Sequence, residues 1–491
     1  MDETFDLAII GAGPAGLEAA LSASATGVST VVVDSFPQAG GQYYKSLPSA
    51  FKPLKISRQE MEGFRLAEKL KGSAVERVFN ALVWGIFEEE TRDGWTVCMD
   101  GPDAPKRLRA RNLILAGGAY DTSAAFPGWT LPGVMTCGAA LILLKNQRLA
   151  PFHRVLVTGS GPLLLSVGAH LIDAGVQVAC ICEANRIKAD AVLYAPTALK
   201  EWGHLEEGAR YLTRLVRTAT PYKMGWSVTE VRGQERVEEA VIARLGKGGV
   251  PVPGTSKTLE VDGVICGYGL TPNDGLARMI GCRFKYNAER REWVAWRDDM
   301  MQTSIPGIYL VGDGAEINGA DNARLEGQIA GIAVAVSTGR LSEEGASRIL
   351  TAVKPRLAQS RRYGRMLAEV FPVKPSLISL ANDDTLICRC EEVKLREIKA
   401  AVAAGARTVG EVKMITRVGM GNCQGRMCER LVAWAVLQQL AGQGMSPEAA
   451  GMFTKRPPLH PLPMGAFLEQ GAVSQMLGEV SNGPNTHLHE Q

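Results

Sequence analysis

Short apolar runs rich in Val and Ile stand at Leu7–Ile10, Thr30–Val33, Leu113–Ala116, Val155–Val157 and Val176–Ile181, and stretches of helical period separate them. Runs of this kind suit strands buried on both faces, and their alternation with helices is the pattern of parallel α/β units. Glycine-rich turns at Gly11 and Gly159 each follow such a strand and precede a helix. The sequence therefore predicts two nucleotide folds of one kind, the second (126–289) inserted into the first (1–125 and 290–340). From residue 341 the strand pattern fades. Residues 341–383 predict a helical linker whose basic residues, Lys354, Arg356, Arg361, Arg362 and Arg365, read as a solvated face. A compact helical unit is expected over 384–442. A Pro-rich arm and tail follow at 443–491, where KRPPLHPLPM from Lys455 to Met464 rules out helix or central strand.

Composition adds limits rather than identity. At 491 residues the chain exceeds a single ordinary core, and 46% hydrophobic with 21% charged residues is globular. A net charge of +3 argues against nucleic acid as a partner. No long uninterrupted apolar run predicts a membrane span, since Val155–Cys182 is broken by Gly159, Gly161, Asp173 and Gly175. The opening MDETFDLAIIGAGPAG leaves no room for a secretory signal, so the expectation is a cytoplasmic protein, with attachment to the inner membrane face through a complex left open. Ten cysteines, scattered apart from one terminal group, fit metal or redox chemistry better than a disulfide framework. The six histidines show no pairing with acids, and no catalytic residue is assigned.

Gly11, Gly13 and Gly16 form GAGPAG, with Pro14 and Ala15 inside it and Asp34 at the end of the next strand. Gly11 permits a tight turn, Gly13 lets backbone approach a pyrophosphate, Gly16 allows helix and strand to pack closely, and Asp34 can accept ribose hydroxyls. Gly40, Gly41 and Gln42 follow, where a glycine pair lets the chain pass close to a flavin or its diphosphate. Thr303–Ala315 reads TSIPGIYLVGDGA, a buried strand ending in Gly312 and Asp313. That stretch resembles the second flavin motif of the two-dinucleotide-binding flavoproteins, in which the aspartate holds the ribityl chain. LILAGGAYD at 113–121 resembles their connecting strand. The resemblance implies FAD at this site.

In the second fold RVLVTGSGPLLL from Arg154 keeps two glycines of the fingerprint, but Leu164 stands where the third belongs, and Glu183 closes the following strand. A side chain at that place weakens a nicotinamide site; a bound nucleotide (NADH or ATP) and a repurposed fold both remain open. A redox cysteine pair is missing beside either turn. Gln42-Tyr43-Tyr44 follow Gly41, Cys137 is solitary, and Cys180 and Cys182 read as small apolar fillers of a strand.

Cys388-Arg389-Cys390 and, after thirty-two intervening residues, Cys423-Gln-Gly-Arg-Met-Cys428 bring four thiolates to one short segment. Such a set suits a [2Fe-2S] cluster or zinc. Gly419, Gly421 and Gly425 would free amides near the sulfurs, and Arg389, Arg426 and Arg430 could offset charge. The C-x-C and C-x4-C spacing, with the helical LREIKAAVAAGARTVGEVKMIT between, resembles the bacterioferritin-associated ferredoxin-like (BFD-like) [2Fe-2S] domain.

Taken together, the order of flavin fold, inserted fold, cluster unit and Pro-rich arm resembles the alpha-type subunit of the hydrogen cyanide synthase, opine oxidase and (hydroxy)proline dehydrogenase family. The resemblance implies an electron-transfer subunit of a heteromeric amino-acid, imino-acid or opine dehydrogenase. It also implies FMN at a subunit boundary, an amine-oxidase-like flavoprotein partner with a further small ferredoxin-like subunit, and an arm that straps onto the partner. A self-contained NADH reductase and a non-catalytic cluster-bearing sensor are the alternatives.

Overall fold

The computed structural model describes residues 4–45, 58–90, 93–187 and 189–468. The first fold starts with β1 (Thr4–Ile10), α1 (Pro14–Ser24), β2 (Thr30–Val33), α2 (Arg58–Lys71) and β3 (Glu76–Val78). The strands β4 (Leu82–Glu88), β5 (Trp95–Asp100) and β6 (Arg107–Leu115) complete a sheet ordered β3-β2-β1-β6-β5-β4. Leu7, Ala8, Ile9 and Val31–Val33 have no exposed surface, so the apolar runs are buried on both faces as their composition demands. β6 serves three neighbours, the third being a later strand of the chain. Its first half pairs antiparallel with β5, Ala110 opposite Trp95, and its second half lies parallel to β1, Leu115 opposite Ile10.

The chain then crosses through β7 (Ala119–Asp121) and builds β8 (Val134–Thr136), α3 (Cys137–Leu141), β9 (Arg154–Ser160), α4 (Leu163–Asp173) and β10 (Gln177–Glu183). Next come α5 (Ala195–Leu199), α6 (Trp202–Arg217) and β11 (Tyr222–Met224). An antiparallel trio, β12 (Trp226–Arg232), β13 (Glu239–Arg244) and β14 (Lys257–Glu260), leads to β15 (Gly263–Tyr268), and the parallel sheet of this second fold is ordered β11-β10-β9-β15-β8. The return crossing, β16 (Leu270–Pro272), pairs antiparallel with β7, Thr271 opposite Tyr120, so the two crossings form one connector.

Back in the first fold, α7 (Gly275–Met279) and the hairpin β17 (Phe284–Asn287) and β18 (Glu292–Ala295) precede β19 (Ile308–Leu310), which lies parallel to the end of β6. α8 (Ala320–Ser337) packs along α1, and small residues make the approach possible: a Cβ on Gly327 would stand 2.0 Å from the Ala15 carbonyl oxygen. α9 (Glu343–Val370) starts where the Ser342 side chain accepts the Gly345 N–H, a cap that satisfies one orphan donor. Its basic run is divided. Lys354, Arg356, Arg362 and Arg365 are exposed as expected, but Arg361 turns inward to Glu326.

The cluster unit comprises β20 (Leu386–Cys388), β21 (Val393–Lys394), α10 (Leu395–Ala403), α11 (Val409–Thr416) and α12 (Glu429–Gln439). Thr408 and Glu411 cap the start of α11 reciprocally. Ile398, Val409, Val412 and Val432 fill its interior, which is continuous through Leu377, Ile378 and Leu380 with Phe126, Trp129 and Val231 of the second fold. The cluster unit thus shares its core with the second fold.

After α13 (Pro447–Ala450) the arm lies on its own chain before reaching α14 (Met464–Leu468). Phe453 is buried against the cluster loop, and the Leu459 N–H donates to the Trp84 carbonyl at 2.8 Å. From Phe453 to Leu459 the arm is strapped onto its own chain, its apolar side chains covered within the molecule. The terminal SNGPNTHLHEQ lies outside the described residues. Among the described residues no helix is long and apolar enough to cross a membrane.

Candidate functional site

The carboxyl ends of β1, β2, β6 and β19 meet at one edge, where ligands of such sheets bind. Gly11 has φ +107°, and a Cβ there would fall 2.4 Å from the Ala116 carbonyl oxygen. A Cβ on Gly16 would fall 1.8 Å from the Gly11 oxygen, so the third glycine is a steric requirement. Pro14 opens α1, where its missing N–H costs nothing. Gly41 passes over Gly13 so closely that a Cβ on it would stand 2.7 Å from the Gly13 Cα. The Gly40–Gly41 turn therefore lies against the phosphate turn, and Gln42 beyond it is exposed.

Asp34 is buried at the end of β2, its Oδ2 accepting the Ala12 N–H at 2.5 Å and its Oδ1 the Phe36 N–H at 2.8 Å. Burial raises its carboxyl above the ordinary range, and the two amides oppose that shift. Its first task is to hold the turn, and lone pairs remain for hydroxyls. Across the cleft, Asp313 accepts the N–H groups of Asn318 and Gly319 with Oδ1, both at 2.9 Å; burial raises its carboxyl too. Ala15 lies where α1, α8 and Gly312 converge, since a Cβ on Gly312 would be 3.1 Å from that of Ala15.

Two contributors are absent from the motifs. Glu326 is fully buried on α8, accepts the Gly312 N–H at 2.9 Å, and is paired with Arg297 at 2.6 Å and Arg361 at 2.9 Å. Those guanidiniums hold its carboxyl below the usual range against burial, and the trio fixes the Gly312–Asp313 turn. The sequence signal was an acid on an otherwise apolar helix face. Asn322, beside the Ala323 that faces Gly312, is fully buried and neither amide atom has a protein partner. Such an orphan is costly unless another group satisfies it. The bare backbone turn, the two carboxylates and this unpaired amide fit a flavin dinucleotide, which when bound supplies a two-electron acceptor able to release electrons singly.

In the cluster loop the four thiols neighbour one another: Cys428 interacts with both Cys388 and Cys423, and Cys390 with both Cys423 and Cys388. No set of three metal-ligating side chains closes on one centre among the described residues. A two-iron cluster divides four protein sulfurs between two metals, and the four thiols of this loop can supply them. The Cys428 thiol, followed by backbone N–H groups of Gly419, Glu391 and Cys390, brings the Cys388 thiol down to about 6. The Cys428 thiol, together with amides of Met427 and Gly425, brings Cys423 to about 4. The same contacts push the Cys428 thiol up, and burial raises Cys390, so iron, which requires anionic sulfur, must displace the protons that remain.

Glycines shape the loop as expected. A Cβ on Gly421 would meet that of Cys390 at 2.3 Å, and Cβ atoms on Gly419 and Gly425 would strike the Phe453 ring. Of the three arginines expected to offset charge, Arg389 lies over Trp129, and Arg426 donates to the Cys423 carbonyl at 2.9 Å. Arg430 is instead committed to the connector, donating to the Leu270 carbonyl at 3.2 Å and facing Glu292 at 3.5 Å. Arg426 also covers the Tyr120 ring of β7 at 5.4 Å. Tyr120 follows Gly117–Gly118, which lie against Gly314 of the flavin turn. Flavin turn, connector and cluster loop are thereby contiguous. Glu429, next to Cys428, pairs with Arg278 of α7 at 2.7 Å and with Lys455 at 3.4 Å.

The second fold repeats part of this design. Glu183 accepts the Gly161 N–H at 2.8 Å with Oε2 and the Asn185 N–H at 2.8 Å with Oε1. Leu164 is fully buried beneath the turn, beside Cys137 and Gly267. Cys180 and Cys182 are buried side by side at 3.8 Å, away from both turns. One histidine does find an acid: His204 on α6 reaches Asp321 on α8 at 3.3 Å, a pair too distant in sequence to read beforehand.

Residues 5–339 match the family model of the pyridine nucleotide-disulphide oxidoreductases, and residues 386–434 match that of the BFD-like [2Fe-2S] binding domain. The chain is an FAD-dependent oxidoreductase that carries a [2Fe-2S] domain. More narrowly, it belongs to the family that holds the alpha-type subunits of opine oxidase and the HcnB subunit of hydrogen cyanide synthase. It is 31% identical to an opine oxidase subunit of Agrobacterium tumefaciens over 98% of this chain and 95% of that protein. It is 30% identical to HcnB of Pseudomonas protegens over 94% of this chain and 96% of that protein. The L-proline dehydrogenase of P. horikoshii has the same fold, with a TM-score of 0.68 at 20% identity, covering 94% of this chain and 79% of that one.

Proposed function

We propose that this chain is the electron-transferring subunit of a heteromeric dehydrogenase or oxidase that acts on the C–N bond of an amino acid, imino acid or opine. The observation that carries the reading is the contiguity of the two redox sites: Arg426, inside the C-x4-C loop, lies on Tyr120, whose strand begins beside the Gly314 turn. Oxidation of a C–N single bond to C=N releases two electrons and two protons, and a flavin next to a one-electron cluster suits their onward passage. The opine oxidase and hydrogen cyanide synthase relatives are themselves called subunits, which supports a companion, and an amine-oxidase-like flavoprotein is the companion proposed. An exposed apolar seam on α6, with Trp202, Leu205, Leu212 and Val216 at helical spacing, is the kind of surface an assembly covers.

Produced alone, the chain should fail to reduce a dye acceptor when given an opine or amino acid, and should gain that activity when coproduced with an amine-oxidase-like partner. In the pair, Cys423→Ser should leave the partner's flavin reducible by substrate while dye reduction falls. Substrate oxidation by the isolated chain would overturn the proposal. The alternative, a self-contained NADH reductase, requires the flavin to bleach when NADH is added anaerobically.

A further inference from the structure

The carboxyl edge of the second sheet carries this chain's own linker. Leaving α9, the backbone runs directly over the glycine turn: the Phe371 Cβ stands 4.0 Å from where Gly161 would carry a Cβ. Ser160, the residue between the two glycines, donates its hydroxyl to the Phe371 carbonyl at 3.2 Å. Asn185, just past β10, donates its amide to the Pro372 carbonyl at 3.3 Å and to the Ser160 hydroxyl at 2.7 Å. Farther along the edge, Val373 fills the space above Gly269, where a Cβ would meet its Cγ2 at 2.7 Å, and Ser376 lies over Gly249. The segment then enters the core shared with the cluster unit through Leu377, Ile378 and Leu380.

These contacts occupy the places a dinucleotide uses. Its pyrophosphate lies over the glycine turn at the helix N-terminus, and its ribose lies by the end of the second strand. Here the turn is under Phe371, and Ser160 and Asn185, beside the two strand ends, are bonded to linker carbonyls. In the first fold the residue within 4 Å of where Gly13 would carry a Cβ is Gly41, which brings no side chain over the turn, whereas Phe371 does.

We infer that the groove of the second fold is the socket for the segment Phe371–Lys374 and takes no nicotinamide nucleotide, so that this fold serves to anchor the cluster unit. The bulky Leu164 is then unsurprising, because a groove that seats a peptide does not need the close helix-strand packing that the third glycine of the fingerprint provides. Nothing in this role of the groove depends on the identity of any companion protein.

The test uses the full chain holding flavin and cluster. Anaerobic NADH should leave the flavin oxidised, and NAD+ should leave hydrogen exchange over 154–186 unchanged. Ser160→Ala combined with Asn185→Asp, which keeps side-chain size but removes both donors, should speed exchange of the amides from Val373 to Ala381 at least tenfold, with flavin and iron contents unchanged. Should that pair fail to fold, Asn185→Asp alone is expected to give a smaller rise at the same amides. Protection of 154–186 by NAD+ while 373–381 stays protected would overturn the inference. So would flavin bleaching by NADH, or exchange at 373–381 that ignores the substitutions. Each of these leaves the coproduction assay with the companion unaffected, so the two claims can fail separately.

Discussion

In the first fold the Ala12 N–H meets Asp34, and in the second the Gly161 N–H meets Glu183; in both, a glycine turn joins a buried strand to a helix. Beyond that the folds diverge. Over Gly13 there is the thin Gly40–Gly41 turn, whereas over Gly161 there is the linker to the cluster unit. The first fold keeps Gly16 because any Cβ would drive into the Gly11 oxygen; the second shifts the helix start, from Pro14 in α1 to Leu163 in α4, and buries Leu164 there. A shared strand-turn-helix skeleton therefore says that a groove exists. What fills it depends on the chain that runs above it.

The sharpest way to break this division of labour is to remove one carrier and ask whether the other survives. Cys423→Ser should abolish the cluster, taking iron and sulfide from about two of each per chain to background, while FAD stays bound. Iron, sulfide and flavin analysis of one preparation decides it. If flavin leaves with the iron, the two sites are not separable and the comparison fails.

Next in size are paired changes at the equivalent helix starts. Gly16→Val sets a side chain against the Gly11 backbone and should weaken FAD binding by on the order of 100-fold, equivalent to about 2.7 kcal/mol. Flavin retention on dilution measures it. Leu164→Gly restores the fingerprint by sequence, yet it should create no NADH binding. It should instead destabilise the chain by about 3–5 kcal/mol through lost burial and helix propensity, as denaturant titration would show. NADH binding to Leu164→Gly would mean that the linker yields easily.

Much of this was legible in the sequence. The apolar runs, the GAGPAG turn, Asp34, Gly312, Asp313 and the four cysteines declare themselves because each depends on local spacing, and local spacing is what a sequence displays. Contacts formed across the fold were invisible. Glu326 gives only the faint signal of an acid on an apolar helix face, and its partners Arg297 and Arg361 come from other elements. Arg430 looked like a counter-charge by proximity to Cys428, but one helical turn carried it to the connector. The Pro-rich arm advertised extension, while its destination depended on a groove between Trp84 and Gly275 that no local pattern encodes.

The attachment of the cluster unit to the first fold, when its core belongs to the second, turns on Arg278. This guanidinium is buried between Asp274 and Glu429 and also donates to the Phe453 carbonyl. Arg278→Ala leaves Glu429 buried with Lys455 as its remaining cation. The expected loss is about 3 kcal/mol, at the lower end for breaking a buried pair because that lysine persists. Denaturant titration followed by flavin and cluster absorbance should show the cluster signal moving more than the flavin signal. Equal shifts would mean that the anchoring on the second fold is the minor attachment.

The smallest effect concerns the direct bond between the two folds, His204 of α6 to Asp321 of α8. The hydrogen bond to Asp321 raises the His204 pKa above 6.5, with Glu201 and Glu207 adding to the shift, while His204, Arg324 and Arg356 hold Asp321 below 3.8. A raised histidine contributes stability that is full below its unfolded pKa and is lost as pH rises through the folded value. A depressed aspartate contributes above its unfolded pKa and loses that as pH falls. The pair is therefore strongest between about pH 4 and 6.5 and fades above. Both side chains are more than a third exposed, so the contribution is about 0.2–1 kcal/mol and shrinks with salt. Asp321→Asn keeps the shape and removes the charge. The gap in thermal stability between it and the wild type should be widest near pH 5–6 and close as pH rises past the histidine's titration, with the stack of His204 on Tyr363 unaffected. A gap that does not vary with pH would show that packing, rather than this ion pair, holds α6 across the flavin fold.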